Sequence, residues 1–440
     1  MKKNKLSPFA IVAISFLGII IIGTILFKLP VSTQSAESLS WVDSLFLSAS
    51  AVCVTGLSTI PNLAETLSVF GKFVLAALIQ IGGLGIVTIA IYVLVVLGIK
   101  IGVTERYVLK EALNQKGLGG MIKLVRSIVL TALAIESFGL IINFIVFIQE
   151  FPFWQALGHS AFHAISSFNN AGFDILGTTS LQNYSTNILL NINTMVMIII
   201  GGIGFIVIRD ILDKKSYKGL SIYSKIVIKT TLILIILGAL VIKLFEYNNI
   251  TWLEAIFTSV TSRTAGFSTT NISLFSYTTL VVIMIFMFIG ASPNSTGGGI
   301  KTTTLFIIFK SITSFLAGKP CITHKRAVED QNKNKAFVLI TLSFSVTVFM
   351  FLIVSLIESR NTAYNMTFID VLFETFSAFG TVGLSTGITP SLMPGSKILL
   401  STLMFIGRLG PITIFGIMNK NWGHPEVNHV SYAVEKVLVG

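Results

Sequence analysis

The chain has 440 residues, 53% of them hydrophobic and only 11% charged, with a formal net charge of +12. Soluble domains carry about 25% charged residues, so this composition excludes a water-facing surface over most of the molecule and points to a multispanning membrane protein. Two cysteines, Cys53 and Cys321, exclude a disulfide framework and a cysteine-based metal site.

In chain order, apolar runs near the roughly 20 residues that cross a hydrocarbon core are predicted at 8–29, 69–97, 124–148, 188–208, 226–245, 277–289, 336–357 and 398–417. The first follows Lys2, Lys3 and Lys5, as a secretory leader would. It is too long for a leader's apolar region and no small-residue cleavage site follows, so it is read as a retained helix. The sixth is short for a full crossing. Basic residues cluster after the second, fourth and sixth runs (Lys100 to Arg126, Arg209 to Lys229, Lys310 to Lys335), while the alternate loops carry Glu37, Asp43, Glu65, Glu150, Asp174, Glu246, Glu254, Asp370 and Glu374. The positive-inside rule then puts both termini in the cytoplasm of a multi-pass cell-membrane protein. That placement explains the positive charge, and no nucleic acid is needed.

Each alternate loop holds a short apolar segment, a glycine, a bulky apolar residue and a small polar or acidic one. The four are Val54-Thr55-Gly56-Leu57-Ser58, Asn170-Ala171-Gly172-Phe173-Asp174, Thr264-Ala265-Gly266-Phe267-Ser268 and Thr381-Val382-Gly383-Leu384-Ser385, at intervals close to a quarter of the chain. A second set follows in phase: Gly82, Gly201, Gly290 and Gly407. The segments before the first set, Trp41–Val52, 154–168, Trp252–Thr261 and 368–379, are too short to cross. The predicted fold is therefore an all-α polytopic membrane protein of four fused helix–pore loop–helix repeats, pseudo-fourfold around one ion pore. The repeats span 1–105, 106–218, 219–325 and 326–418, with 419–440 as a cytoplasmic tail.

Irregular backbone at membrane depth survives only where it is buried in protein or lines a watery cavity, so four such loops around one axis form a pore. The half-helices aim their partly negative C-terminal ends inward, which favours a cation. Glycine takes positive φ at little cost, and rings of backbone carbonyls replace an ion's hydration shell in potassium filters. The candidate filter is Val54, Thr55 and Gly56 with Asn170, Ala171 and Gly172, Thr264, Ala265 and Gly266, and Thr381, Val382 and Gly383. For the second set, close helix packing or a hinge is the competing reading, and around Gly82–Gly85 and Gly201–Gly204 the favoured one.

The sixth run gives way to Gly290-Ala291-Ser292-Pro293-Asn294-Ser295-Thr296-Gly297-Gly298-Gly299-Ile300-Lys301, a density of glycine and proline that no membrane helix continues through. A phosphate-binding loop is excluded, because Ile300 separates Gly299 from Lys301 where the motif needs Gly-Lys. No nucleotide is expected on this chain. Arg408, within the last run, costs about 2.5–3.5 kcal/mol on insertion scales. It faces either a pore or partners such as Glu136 or neighbouring carbonyls. His159 and His163 lie four apart without a third ligand, so packing is preferred to metal binding. Arg263 either repels cations or anchors its half-helix to Glu254 or Asp370. Trp41, Trp154 and Trp252 fit an interfacial belt.

With these motifs over nearly its whole length, the chain resembles the superfamily of potassium transporters that includes the Trk, Ktr and plant HKT proteins. Its eight predicted runs are most similar to the membrane subunit of Ktr systems. Only Thr381-Val382-Gly383 echoes the TVGYG of tetrameric channels, and glycine at 56 matches the potassium-selective members, many sodium-selective relatives carrying serine there. The resemblance implies potassium held at the four filter segments and possession of an intramembrane gate that includes Gly290, Gly297, Gly298, Gly299 and Lys301. It further implies Arg408 as an obstruction below the filter, activation by sodium, a homodimer, and a separate cytosolic ring of RCK-type nucleotide-binding subunits resembling KtrA or TrkA. The basic loops and the tail are its expected contacts.

No nucleophile–base pair, metal set or nucleotide motif is present, so the chain is read as a non-enzyme. The competing class is a sodium- or proton-coupled secondary transporter, since broken helices occur there too. Against it, the repeats run parallel rather than inverted, and Glu136 is the one obvious acid deep in a span. A structural scaffold leaves the phased glycine loops without a purpose.

Overall fold

The computed structural model describes residues 7–411 and 413 apart from 36, 114–116, 118 and 362–365. The first repeat comprises α1 (Pro8–Lys28), α2 (Trp41–Val52), the single turn α3 (Leu63–Thr66), α4 (Val69–Leu84) and α5 (Ile86–Val96). A connecting helix, α6 (Val103–Ala112), leads to α7 (Met121–Phe147), α8 (Phe153–Phe168), α9 (Ile188–Ile203) and α10 (Phe205–Lys214). The third repeat is α11 (Ile222–Phe245), α12 (Trp252–Thr261), α13 (Tyr277–Phe288) and α14 (Thr302–Leu316). A small antiparallel hairpin, β1 (Ile322–Thr323) and β2 (Arg326–Ala327), pairs Ile322 with Ala327 before the last repeat, α15 (Asp330–Glu358), α16 (Phe368–Gly380) and α17 (Pro394–Leu409).

The first helix of every repeat (α1, α7, α11, α15) is long and apolar enough to cross a bilayer. The second helices are different: the runs predicted at 69–97 and 188–208 are each broken into two helices, within the glycine runs read as packing or hinge positions. α4 and α5 meet at 98° across Gly85, and α9 and α10 at 97° across Gly204. Both glycines hold positive φ, 86° and 93°, with ψ of 127° and 143°, a backbone conformation open to glycine at little steric cost. A hydropathy window averages over one glycine and cannot see the turn. The run at 398–417 is also redrawn: its helix starts earlier, at Pro394, and stops at Gly410, φ 83°. Beyond Gly410 the described residues of that run are Pro411 and Thr413, Thr413 donating its N–H to the Gly410 carbonyl at 3.1 Å; the rest of the run and the tail 419–440 lie outside the described residues.

Three of the four half-helices start the same way. Ser40, Thr251 and Thr367 accept the backbone N–H of Asp43, Glu254 and Asp370, an N-cap with an acid at the third helical position. The far ends of α2, α8 and α16 are buried against the second glycine set. A Cβ at Gly82 would lie 2.0 Å from the Val52 carbonyl oxygen, at Gly201 1.9 Å from that of Phe168, and at Gly407 2.0 Å from that of Phe379. These glycines are seats for the half-helix ends, the close approach that small residues allow in membranes. Gly290 departs from the set, since α13 has already ended, and it packs instead on the Gly298 carbonyl of its own loop.

Around the axis, each second helix packs on the half-helix of the next repeat: α4 on α8, α9 on α12, α13 on α16, and α17 back on α2. Lys397 closes the last seam with a 2.9 Å ion pair to Asp43. The cycle is complete.

Candidate ion-conducting site

The four glycine turns meet on the axis. A Cβ on Gly56 would lie 2.4 Å from the Ala171 carbonyl oxygen, on Gly172 2.3 Å from that of Ala265, on Gly266 2.4 Å from that of Val382, and on Gly383 2.2 Å from that of Thr55. Each repeat thus contributes the carbonyl before its glycine to the space beside its neighbour's glycine, and the fourth returns to the first. The glycines have φ between 67° and 96°. Two residues earlier, Val54, Asn170, Thr264 and Thr381 also hold positive φ, at 58°, 58°, 118° and 50°. For β-branched residues that is a true outlier, and strain of this kind concentrates at functional sites.

Local hydrogen bonds hold the strained turns. Thr55, Ala171 and Val382 donate their N–H to the carbonyls of Ser50, Ser166 and Ser377, and Ala265 to Thr261. The hydroxyls of Ser50 and Ser377 accept the N–H of Gly56 and Gly383, each at 3.1 Å, while Ser166 and Thr261 donate to the Phe173 and Phe267 carbonyls at 2.6 and 2.8 Å. Sequence reasoning overlooked these hydroxyls. Their recurrence about six residues before each glycine was the available signal.

The loop at 289–301 lies against one end of this ring. Gly298 donates its N–H to the Thr381 hydroxyl at 3.0 Å, Gly297 packs on Thr264, and the Thr296 hydroxyl donates to the Phe168 carbonyl at 3.3 Å. Lys301 folds back onto the carbonyls of Gly297 and Gly298, at 2.8 and 3.3 Å. The loop also fills the break in repeat 2: Ser292 and Thr296 donate N–H to the Gly202 and Gly201 carbonyls, and Phe205 donates to Asn294. Helix ends leave their last carbonyls unpaired, and no water is at hand in hydrocarbon, so one irregular segment satisfies the other.

Arg408 does the same for repeat 1. From α17 its guanidinium reaches the Gly82 carbonyl and the Thr296 carbonyl of the loop, and that of Gly83 at 3.2 Å. It therefore pairs with carbonyls, and Glu136 is engaged elsewhere, accepting from Gln80 and Asn169, each at 3.1 Å. A cation beside the C-terminal end of α4 is also favoured by that helix's dipole. Arg408 joins three repeats immediately beside the loop.

The remaining candidates resolve as packing. His163 bonds the Thr194 hydroxyl at 2.8 Å and its ring lies against Phe147 and Phe267. Among the described residues no three His, Cys, Asp or Glu side chains gather as a metal site. Arg263 reaches neither Glu254 nor Asp370; it donates to the Thr231 carbonyl at 3.2 Å.

Four re-entrant half-helices converging on a closed ring of backbone carbonyls, with a polar loop and a half-buried arginine under it, define an ion-translocating membrane protein. Residues 7–422 match the TrkH family, described as a cation transport protein. The chain is 37% identical to the Ktr system potassium uptake protein B of Bacillus subtilis and 37% identical to the potassium/sodium uptake protein NtpJ of Enterococcus hirae, in both cases over 100% of this chain and 98% of the relative. Its fold is that of the potassium transporter TrkH from Vibrio parahaemolyticus, with a TM-score of 0.72 at 19% identity, covering 96% of this chain and 87% of that one. The chain belongs to the TrkH family of cation transporters and is not an enzyme.

Proposed function

We propose that this chain is the ion-translocating subunit of a Ktr-type potassium uptake system, admitting potassium to the cytoplasm down its electrochemical gradient through the ring at Gly56, Gly172, Gly266 and Gly383. The observation that carries the reading is the cyclic closure of four glycine turns, each beside its neighbour's carbonyl. Carbonyls turned to an axis replace an ion's water, and a negative-inside potential supplies about 2.3 kcal/mol per charge per 100 mV. The printed names of the relatives, potassium uptake and potassium/sodium uptake proteins, agree with this cargo.

The loop at 289–301, with Gly290, Gly297, Gly298, Gly299 and Lys301, and Arg408 form the barrier on the cytoplasmic side of the ring. Both place positive charge on the ion's way, and a fixed cation raises the barrier for another. Opening requires the loop to leave the ring, an order–disorder step of the kind that switch segments make. A separate cytosolic RCK-type nucleotide-binding ring acts on that loop through the basic cytoplasmic segments, in a homodimer with one pore per protomer and both termini inside. Repeats divide near 105, 218 and 325. Sodium activation belongs to the same proposal, and sodium is the ion against which selectivity is measured.

The test is potassium-dependent growth and rubidium uptake in a host lacking its own potassium uptake, with a cytosolic ring supplied. Wild type restores growth. Gly266→Ser, whose Cβ would meet the Val382 carbonyl and whose φ costs about 1–2 kcal/mol without glycine, loses discrimination against sodium. Unchanged discrimination, or no rescue at normal membrane abundance, returns the choice to a coupled transporter.

A further inference from the structure

Two positions in register with the ring glycines separate repeat 4 from the others. Two residues after the glycine stand Ser58, Asp174, Ser268 and Ser385, and in every repeat that side chain accepts the N–H two residues on: Ile60 at 3.0 Å, Leu176 at 3.2 Å, Thr270 at 3.4 Å and Gly387 at 2.8 Å. The turn that leaves the ring is therefore built identically four times. Its hydroxyls are used differently. Ser58 and Ser268 donate locally, to the Ile60 and Thr270 carbonyls. Ser385 instead donates across to the Glu374 carboxylate of its half-helix, and Thr389 donates to the other carboxylate oxygen at 3.1 Å.

Nine residues before the glycines stand Leu47, His163, Phe257 and Glu374, buried to 0%, 2%, 0% and 0% exposure. Three half-helices fold with leucine, histidine or phenylalanine at this place, so the fold does not demand an acid there. A carboxylate wholly removed from water is costly unless it is hydrogen-bonded and offset by charge. Glu374 has its hydrogen bonds, yet none of the ion pairs among the described residues includes it. The charge one turn earlier on its own helix, Asp370, has the same sign.

We infer that Glu374 is a positioning residue for ion selection: its carboxyl group clamps the repeat-4 turn, Leu384 to Gly387, to its half-helix and so fixes that quarter of the ring. This rests on the reading of the ring as the ion-selecting site. The clamp acts on one quarter of the ring only, so ion selection is asymmetric among the repeats.

The test measures rubidium KM, Vmax and inhibition by sodium for wild type, Glu374→Gln, Glu374→Leu (the residue repeat 1 carries here), Ser385→Ala and the Glu374→Gln/Ser385→Ala double variant, at matched membrane abundance. Loss of one partner of a buried hydrogen bond corresponds to roughly a tenfold change. The expected result is a rise in rubidium KM of about that size with stronger sodium inhibition, Vmax being largely kept, in both Glu374 variants and Ser385→Ala, and no further rise in the double variant. Wild-type KM and sodium inhibition in Glu374→Leu overturn the assignment while leaving the ring reading intact. Equal loss of Vmax alone, or failure of both Glu374→Leu and Ser385→Ala to accumulate as folded protein, makes Glu374 a stability element and overturns it as well. Absence of rubidium uptake by wild type brings down the ring reading and this assignment together.

Discussion

Glycine serves two unlike purposes here, and single substitutions separate them. At Gly407 the half-helix end of α16 leaves no room, with the Phe379 carbonyl 2.0 Å from an added Cβ. Gly407→Ala is expected to cost about 1–3 kcal/mol, the usual range for overpacking, and to lower the melting temperature of the purified protein. Gly18 in α1 has nothing within 4 Å of an added Cβ, so Gly18→Ala should melt at or above the wild-type temperature. A reversed order of the two melts would refute glycine seating. Arg408 is the other residue whose surroundings decide its meaning. Arg408→Ala leaves the Gly82, Gly83 and Thr296 carbonyls without their donor. Basal rubidium flux without the cytosolic ring should rise. Unaltered flux at normal expression would assign the barrier to the loop alone.

Among elements, the broken second helices and the loop explain one another. α9 ends at Ile203, and its carbonyls at Gly201 and Gly202 are taken by the loop between α13 and α14. Neither segment is tenable in lipid by itself. The opposite face has its own repeated joint. Glu150, Glu246 and Glu358 end first helices and reach the second: Glu150 accepts from the Tyr184 hydroxyl at 2.5 Å, and Glu246 and Glu358 accept the N–H of Ser276 and Met393, each at 2.8 Å. Glu246 is 1% exposed. Burial alone would raise its pKa, but donors on Asn249, Thr279 and Ser276 outweigh burial and hold it below the usual glutamate value. A depressed carboxylate pKa stabilises the fold above the unfolded value, and that stabilisation is lost as pH falls through the folded one. The melting temperature of wild type should therefore drop more steeply than that of Glu246→Gln on acidification below the ordinary glutamate range. Parallel curves would count against this joint.

At the level of the whole molecule, one packing rule used four times, second helix on the next half-helix, closes the chain into a ring. Strict symmetry is then broken at particular places around the ring. Among the described residues, repeat 3 opens its second helix into a glycine-rich loop, repeat 4 carries the arginine beside that loop, and repeat 4 has an acid, Glu374, where the other half-helices carry Leu47, His163 and Phe257. A homotetramer of one repeat cannot hold such differences, because every substitution appears four times around the axis.

Much of this was legible before any coordinates. The ring residues could be read because a glycine that must take positive φ is a local requirement, and four copies in phase at quarter-chain intervals give the same requirement four times. Composition declared the membrane, and basic-loop asymmetry supplied an orientation to test. At Gly85 and Gly204 a packing or hinge role could be read but not the right angle, since its cause is a single dihedral within an apolar run. The partners of Arg408 were equally hidden: the carbonyls it reaches lie more than a hundred residues away in sequence and become free only once the helices that own them have broken. The sequence by itself determined the membrane class, the fourfold repeat and the glycines of the ring, because each depends on residue type and spacing. The tertiary structure alone decided the closure of the ring, the seat of the loop and the isolation of Glu374, because each depends on which unpaired polar groups meet at one depth in the molecule.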